Sequence, residues 1–229
     1  MSQKKWAESE SMNAIMAFIK KQQEEKVTRY KILNQYAKKD QILFVGSSLM
    51  EQFPINEMQQ TFEKPYTIYN RSVGGFVSAD LIANLDTCIF ELEPSKIFIN
   101  IGTNDIGSPT YQLNNLIENY DNILSQIKLR LPKSKIYVMA YYPVNTETTF
   151  PNVGPEQKEF MFQNRNNTTL KEANQAVEKL AQKHNYMFIN VNEGLFDNNG
   201  NLKAEFSVEG IHMWPNAYEV VLQNIKKYL

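Results

Sequence analysis

Ile42-Leu43-Phe44-Val45-Gly46-Ser47-Ser48-Leu49-Met50 joins an apolar run of strand length to a glycine turn and the start of a helical pattern. An apolar run this short, closed by a turn residue, predicts a strand buried on both faces. Strands of that kind belong to parallel sheets covered by helices. Comparable runs stand at 66–69, 96–101, 135–141 and 186–191, and helical patterns at 113–131, 168–184 and 218–229 lie between or after them. The alternation implies an α/β chain folded as a three-layer α/β/α sandwich on a parallel sheet. In such sheets ligands bind beyond the carboxyl ends of the strands, so chemistry is expected in the loops that leave them.

The whole chain fits this reading. Its 229 residues, 42% hydrophobic and 12% aromatic, match one medium domain, expected to span residues 1–229. With a formal net charge of -1 and mixed signs along the chain, no basic face invites nucleic acid or anionic lipid. The first residues lack the apolar core of a secretory signal, and no run of about 18 apolar residues predicts a membrane span. A cytoplasmic protein without integral membrane contact is the expectation. Met12, Ile15, Met16 and Ile19 recur at helical spacing among Lys and Glu, which predicts an amphipathic helix over about 9–38. Packing of its apolar stripe against the sheet is the plainer use of it, and a homodimer the alternative. The single cysteine, Cys88, sits in a mostly apolar helical stretch and reads as a buried thiol.

Four segments carry residues able to do chemistry. Ser48 falls where the first strand turns into a helix, a place that exposes a hydroxyl beside unpaired helix N–H groups. The same position suits an ordinary N-cap, and Met50 stands where the G-x-S-x-G elbow requires its last glycine. After the second strand, Gly74-Gly75 allows close approach of backbone N–H groups to a ligand. After the third, Gly102-Thr103-Asn104-Asp105 places an amide that can donate to an oxyanion, with Asp105 suited to fixing the loop. Near the C-terminus, Glu209-Gly210-Ile211-His212 spaces a carboxylate to orient an imidazole across one turn. The only other histidine, His184, lies in a polar helix end and reads as a solvated residue or C-terminal cap. Two distant histidines, one cysteine and no carboxylate cluster supply no metal site.

Taken together, the four blocks resemble the SGNH hydrolases, or GDSL-like esterases, over about residues 40–229, with likeness to bacterial acylhydrolases similar to platelet-activating-factor acetylhydrolase. The resemblance implies a flavodoxin-like, five-stranded sheet in order 2-1-3-4-5 and serine-dependent hydrolysis of carboxylic esters without a cofactor. Ser48 would be the nucleophile, His212 the base and Glu209 its orienting acid; the oxyanion hole would comprise the N–H groups of Ser48 and Gly75 and the Asn104 side chain. Two departures from the family pattern stand out. Ser47 replaces the usual aspartate of the GDS turn, and Glu209 replaces an aspartate with a side chain one methylene longer. The partner is a small-molecule ester, with short acyl chains expected and Tyr142, Val144 and Trp214 as substrate-binding candidates by position, alongside Met50, Tyr141 and Pro143. The long polar connection at 145–157 suits a lid. Carbohydrate O-deacetylation, thioester hydrolysis, or a binding protein that has lost turnover are the competing readings of the same site.

Overall fold

The computed structural model describes residues 3–229, with side chains from residue 13 onward. Five strands, β1 (Ile42–Gly46), β2 (Ile68–Asn70), β3 (Lys96–Asn100), β4 (Lys135–Met139) and β5 (Met187–Ile189), form one parallel sheet in order β2-β1-β3-β4-β5. Residues 42–44 of β1 pair with 68–70 of β2, and 42–46 pair with 96–100 of β3. All five residues of β1 are buried, as the unbroken apolar run requires of a central strand. Among the described residues, ten α-helices accompany the sheet: α1 (Gln3–Asn34), α2 (Ser48–Glu51), α3 (Ile55–Met58), α4 (Ser78–Ala83), α5 (Leu85–Cys88), α6 (Thr103–Ile106), α7 (Leu113–Arg130), α8 (Pro155–Phe162), α9 (Asn167–His184) and α10 (Pro215–Ile225).

Side-chain alternation along β1 builds two cores. Leu43 and Val45 join Ile97, Ile99 and the apolar faces of α4, α5, α7 and α9. Ile42 and Phe44 join Phe98, Met139 and the faces of α2, α3 and α10. Full burial of each large apolar side chain contributes about 1.5–3 kcal/mol, so a one-residue slip of β1 would be strongly disfavoured. The chain leaves β1 toward the α2/α10 face and leaves β3 toward the α7/α9 face. Departure to opposite faces opens a crevice at the carboxyl ends of these neighbouring strands.

Two expectations need correction. The N-terminal helix runs from Gln3 to Asn34, ending before residue 38, and along its full length it lacks the one-sided apolar face expected of it. Its stripe does not reach the sheet: Ile15, Met16, Phe18 and Ile19 are exposed, and half-buried positions begin near Gln23, where α1 meets the domain. Met12, also in the expected stripe, lies outside the described side chains. His184 is buried rather than solvated, its Nε2 2.5 Å from Asp121 Oδ1. Amphipathic spacing says which face is apolar but not whether anything covers it, and a histidine next to lysine at a helix end reads as surface until its partner on α7 is seen. Cys88 is buried as expected, and burial pushes its thiol up to about 12.

Hydrogen bonds from Lys183 and His184 hold the Asp121 carboxyl below its ordinary value, outweighing a small opposing effect of burial. A depressed carboxyl adds stability above its unfolded pKa of about 3.9 and loses it as pH falls through the folded value. Asp121→Asn is therefore expected to lower Tm at pH 7 and to converge on wild type in strong acid, as followed by circular dichroism. An equal deficit at every pH would contradict this linkage.

Candidate functional site

Ser48 opens α2 immediately beyond β1. The Ser47 carbonyl accepts the Met50 and Glu51 N–H groups at 3.1 and 2.9 Å, while the Ser47 side chain makes no capping bond. The turn lacks the aspartate of the family pattern, and backbone hydrogen bonds close it instead. Tyr218 on α10 donates to the Leu49 carbonyl at 2.7 Å, and Asn70 at the end of β2 donates to the Met50 carbonyl at 2.7 Å. Both neighbours thus pin the short helix whose first residue is Ser48.

His212 approaches from the opposite end of the sequence. Its Nε2 stands 2.8 Å from Ser48 Oγ, and its Nδ1 2.5 Å from Glu209 Oε1. The same Oε1 accepts the His212 backbone N–H at 3.0 Å. Two bonds to one oxygen fix the carboxylate and absorb the additional methylene that distinguishes Glu209 from an aspartate. Burial by itself would raise the Glu209 carboxyl, but the hydrogen bonds and charge of His212, aided by nearby Arg165, hold it below the usual carboxylate range. An ionised Glu209 requires the Nδ1–H tautomer, leaving Nε2 as the acceptor facing the serine hydroxyl. The turn itself is a closed unit: Val208 N–H donates to the His212 carbonyl at 2.9 Å and Gly210 N–H to Ser207 Oγ at 2.6 Å.

Of the three expected oxyanion donors, Ser48 belongs to this pair and Gly75 lies in a glycine turn that passes beside it. Gly75 has φ +77°, in the left-handed region that favours glycine. A Cβ built on its neighbour Gly74 would lie 3.7 Å from the Ser48 Cβ, so the glycine turn passes directly beside the serine. Among the described residues, no acceptor takes the N–H of Ser48 or of Gly75. Asn104 gives one Nδ2 hydrogen to the Phe76 carbonyl at 3.0 Å and receives Arg165 at its Oδ1, 3.3 Å away. That pattern allows only one orientation of the amide and leaves its second N–H to donate. Asp105 performs the expected structural task, accepting the Ser78 N–H at the start of α4 at 2.9 Å.

Arg165 is the residue that sequence reasoning missed. It lies between α8 and α9, donates from Nε to the Thr103 carbonyl at 3.1 Å, and acts electrostatically on Glu209 while bonding Asn104. Nothing in Asn164-Arg165-Asn166 marks it, because an arginine in a polar loop ordinarily reads as solvated. Conversely, two substrate-binding candidates prove to be core. Tyr142 and Val144 are each 1% exposed, and Tyr142 packs its hydroxyl on Met50 sulfur, so neither has surface to offer a ligand. Both continue β4 inward, whereas only side chains turned toward the crevice could line it. Met50 and Tyr141 are likewise buried, while Trp214 is half exposed two residues beyond His212. The connection at 145–157 is tied to the histidine turn at its start, where Asn145 N–H donates to the Gly210 carbonyl at 2.8 Å, and is mostly exposed beyond Phe150.

The family description "GDSL-like Lipase/Acylhydrolase family" matches residues 44–220. A solved structure from Streptococcus pneumoniae, described as a proposed platelet activating factor, is 29% identical with a TM-score of 0.84, covering 96% of this chain and 98% of that one. A GDSL-like lipase from Bacteroides thetaiotaomicron is 19% identical with a TM-score of 0.71, covering 88% and 96%. A catalytic mutant of an acetylxylan esterase from Geobacillus stearothermophilus is 14% identical with a TM-score of 0.61, covering 83% and 94%. The last two likenesses are of fold. No curated protein matches the sequence.

Gly210 holds the histidine turn at φ +102°, where an added Cβ would meet the Asn145 carbonyl oxygen and Phe162 ring at 2.6 Å each. Gly210→Ala is expected to destabilise the fold by about 2–4 kcal/mol, combining backbone strain with overpacking. Urea unfolding measures it, and a loss below about 1 kcal/mol would contradict the requirement for glycine.

Proposed function

The chain belongs to the GDSL-like lipase/acylhydrolase family and is a carboxylic ester hydrolase; from that premise we propose that it cleaves small esters with short acyl chains through an acyl-enzyme on Ser48. The observation that carries this reading is the continuous relay Glu209–His212–Ser48, with contacts of 2.5 and 2.8 Å. His212 Nε2 takes the Ser48 proton as Oγ attacks the ester carbonyl carbon. The negative charge that develops on the carbonyl oxygen is met by the N–H groups of Ser48 and Gly75 and by the free Asn104 amide hydrogen. The imidazolium then protonates the departing alkoxide, water enters, and the same histidine serves as base for deacylation.

Each neighbouring group has a defined part. Glu209 keeps the Nδ1–H tautomer and stabilises the imidazolium, and its lowered pKa keeps it ionised into mild acid. Arg165 keeps the Asn104 amide turned toward the reacting oxygen. Trp214, exposed beside the histidine turn, is the remaining candidate wall for substrate, since Tyr142 and Val144 are covered. No metal or cofactor has a step in this mechanism.

Hydrolysis of p-nitrophenyl acetate, butyrate and octanoate tests the proposal. Ser48→Ala and His212→Ala are expected to abolish measurable turnover, while His184→Ala, if folded, retains it. Asn104→Ala should lower kcat by about 10²- to 10³-fold with little change in KM. Arg165→Met, which releases the amide without removing it, should cost about 10-fold in kcat. Full activity in Ser48→Ala would sink the serine reading, and a rate rising from acetate to octanoate would sink the short-chain preference.

A further inference from the structure

Helix α1 lies outside the residues that match the family, yet it grips the turn that carries Gly75. Four α1 side chains spaced on one helical face reach the segment 71–75 or what holds it. Gln23 donates from Nε2 to the Gly74 carbonyl at 2.8 Å. Lys26 pairs with Glu51, whose other carboxylate oxygen accepts the Gly74 N–H. Tyr30 donates its hydroxyl to the Ser72 carbonyl at 2.8 Å, and Asn34 Oδ1 accepts Arg71 Nε at 2.9 Å. Residues 23, 26, 30 and 34 follow helical spacing, so one rigid element presents all four. Burial raises the Tyr30 phenol, which keeps its donor proton at every working pH. The Arg71 guanidinium lies 5.0 Å from the Tyr30 ring centroid and 5.2 Å from that of Tyr69, joining the end of β2 to the helix.

Buried Val73 and Phe76 anchor the two ends of the turn, and the Phe76 N–H closes it on the Val73 carbonyl at 3.2 Å, but the glycine pair between them has little else to hold it. Gly74 and Gly75 carry no side chains to pack, Gly75 is exposed, and a cavity of about 410 Å³ lies between α1 and the turn, lined by Ile19, Gln23, Lys26, Glu51, Val73 and Gly74. A glycine pair without packing is the most conformationally free part of the chain, while an oxyanion donor is useful only when fixed in advance. Both Gly74 hydrogen-bonding groups, its N–H and its carbonyl, are engaged by the α1 network, and the peptide on its carbonyl side is the one that bears the Gly75 N–H. We infer that α1 is a clamp that preorganises the oxyanion hole, with Gln23, Lys26 and Tyr30 as positioning residues for the Gly75 N–H. The inference rests on the reading of Ser48 as nucleophile and Gly75 as oxyanion donor.

The test compares Gln23→Ala, Tyr30→Phe, their double variant, Lys26→Met and Lys26→Arg on p-nitrophenyl acetate, with exposed Lys20→Ala as control. Each clamp variant is expected to lose about 10-fold in kcat with KM within about twofold, because a small misplacement affects the transition state more than the ground state. Lys26→Arg should recover most of the loss seen in Lys26→Met. Inhibition by a small alkylboronic acid, which forms a tetrahedral adduct with the serine, should weaken in proportion to kcat, a response that general loosening of the fold does not produce. Tyr30→Phe keeps the ring and its packing, so a folded variant is available if the double variant is unstable. A kcat within twofold of wild type in Gln23→Ala and Tyr30→Phe, or a lowered kcat with unchanged boronic acid affinity, would overturn the clamp. Ser48→Ala assayed alongside separates the layers: activity there overturns the serine reading and the clamp with it, whereas activity lost there but intact in the clamp variants overturns the clamp alone.

Discussion

A 2.8 Å contact between Ser48 Oγ and His212 Nε2 joins residues 164 positions apart, and much of the fold serves to make it. The serine is placed by β1, whose two-sided burial fixes its register, and by α2, whose carbonyls are pinned from α10 and β2. The histidine is placed by a closed turn whose backbone hydrogen bonds need a glycine at position 210. Because β1 and β3 send the chain to opposite faces, the loops that follow them diverge and the crevice needs no separate domain to form it. Asn104 lies in α6 just beyond β3, with Arg165 holding its amide.

The sheet was legible because each strand is an apolar run too short for a helix, and because chemistry in a parallel sheet has a fixed address beyond the strand ends. The relay was legible in the same way: a carboxylate three residues before a histidine is a local pattern, and with only two histidines in the chain there was little competition. What failed were statements about which way side chains face after a strand ends. Tyr142 and Val144 follow β4 and were substrate-binding candidates by position, yet both continue into the core. Short helices such as α3 and α6 were invisible because four residues contain barely one helical period, whereas α2 was legible from the strand and glycine turn before it. Arg165 and His184 acquire meaning only through partners more than 60 positions away, Asn104 and Asp121, which no local window contains.

The N-terminal helix shows the limit of periodicity most clearly. Its apolar stripe suggested a packing face, but the part of α1 that meets the core does so through Val27 and the Tyr30 ring together with the polar groups of Gln23, Lys26, Tyr30 and Asn34, which a hydrophobic pattern ignores. Those contacts converge on a glycine turn, where hydrogen bonds to backbone atoms substitute for the side-chain packing that glycine cannot make. The division of labour that results is physical rather than sequential: the elements around the central sheet place Ser48 and His212, and a helix outside the family segment holds the glycine turn beside them.

Hydrolysis through Ser48 requires a covalent acyl intermediate on its Oγ. Acid quenching during turnover of p-nitrophenyl butyrate, followed by intact-mass and peptide mass spectrometry, observes it directly. The mechanism predicts a butyryl adduct confined to the peptide containing Ser48, accumulating further when deacylation is slowed. Turnover without any adduct under such slowing, or an adduct on another residue, would contradict it.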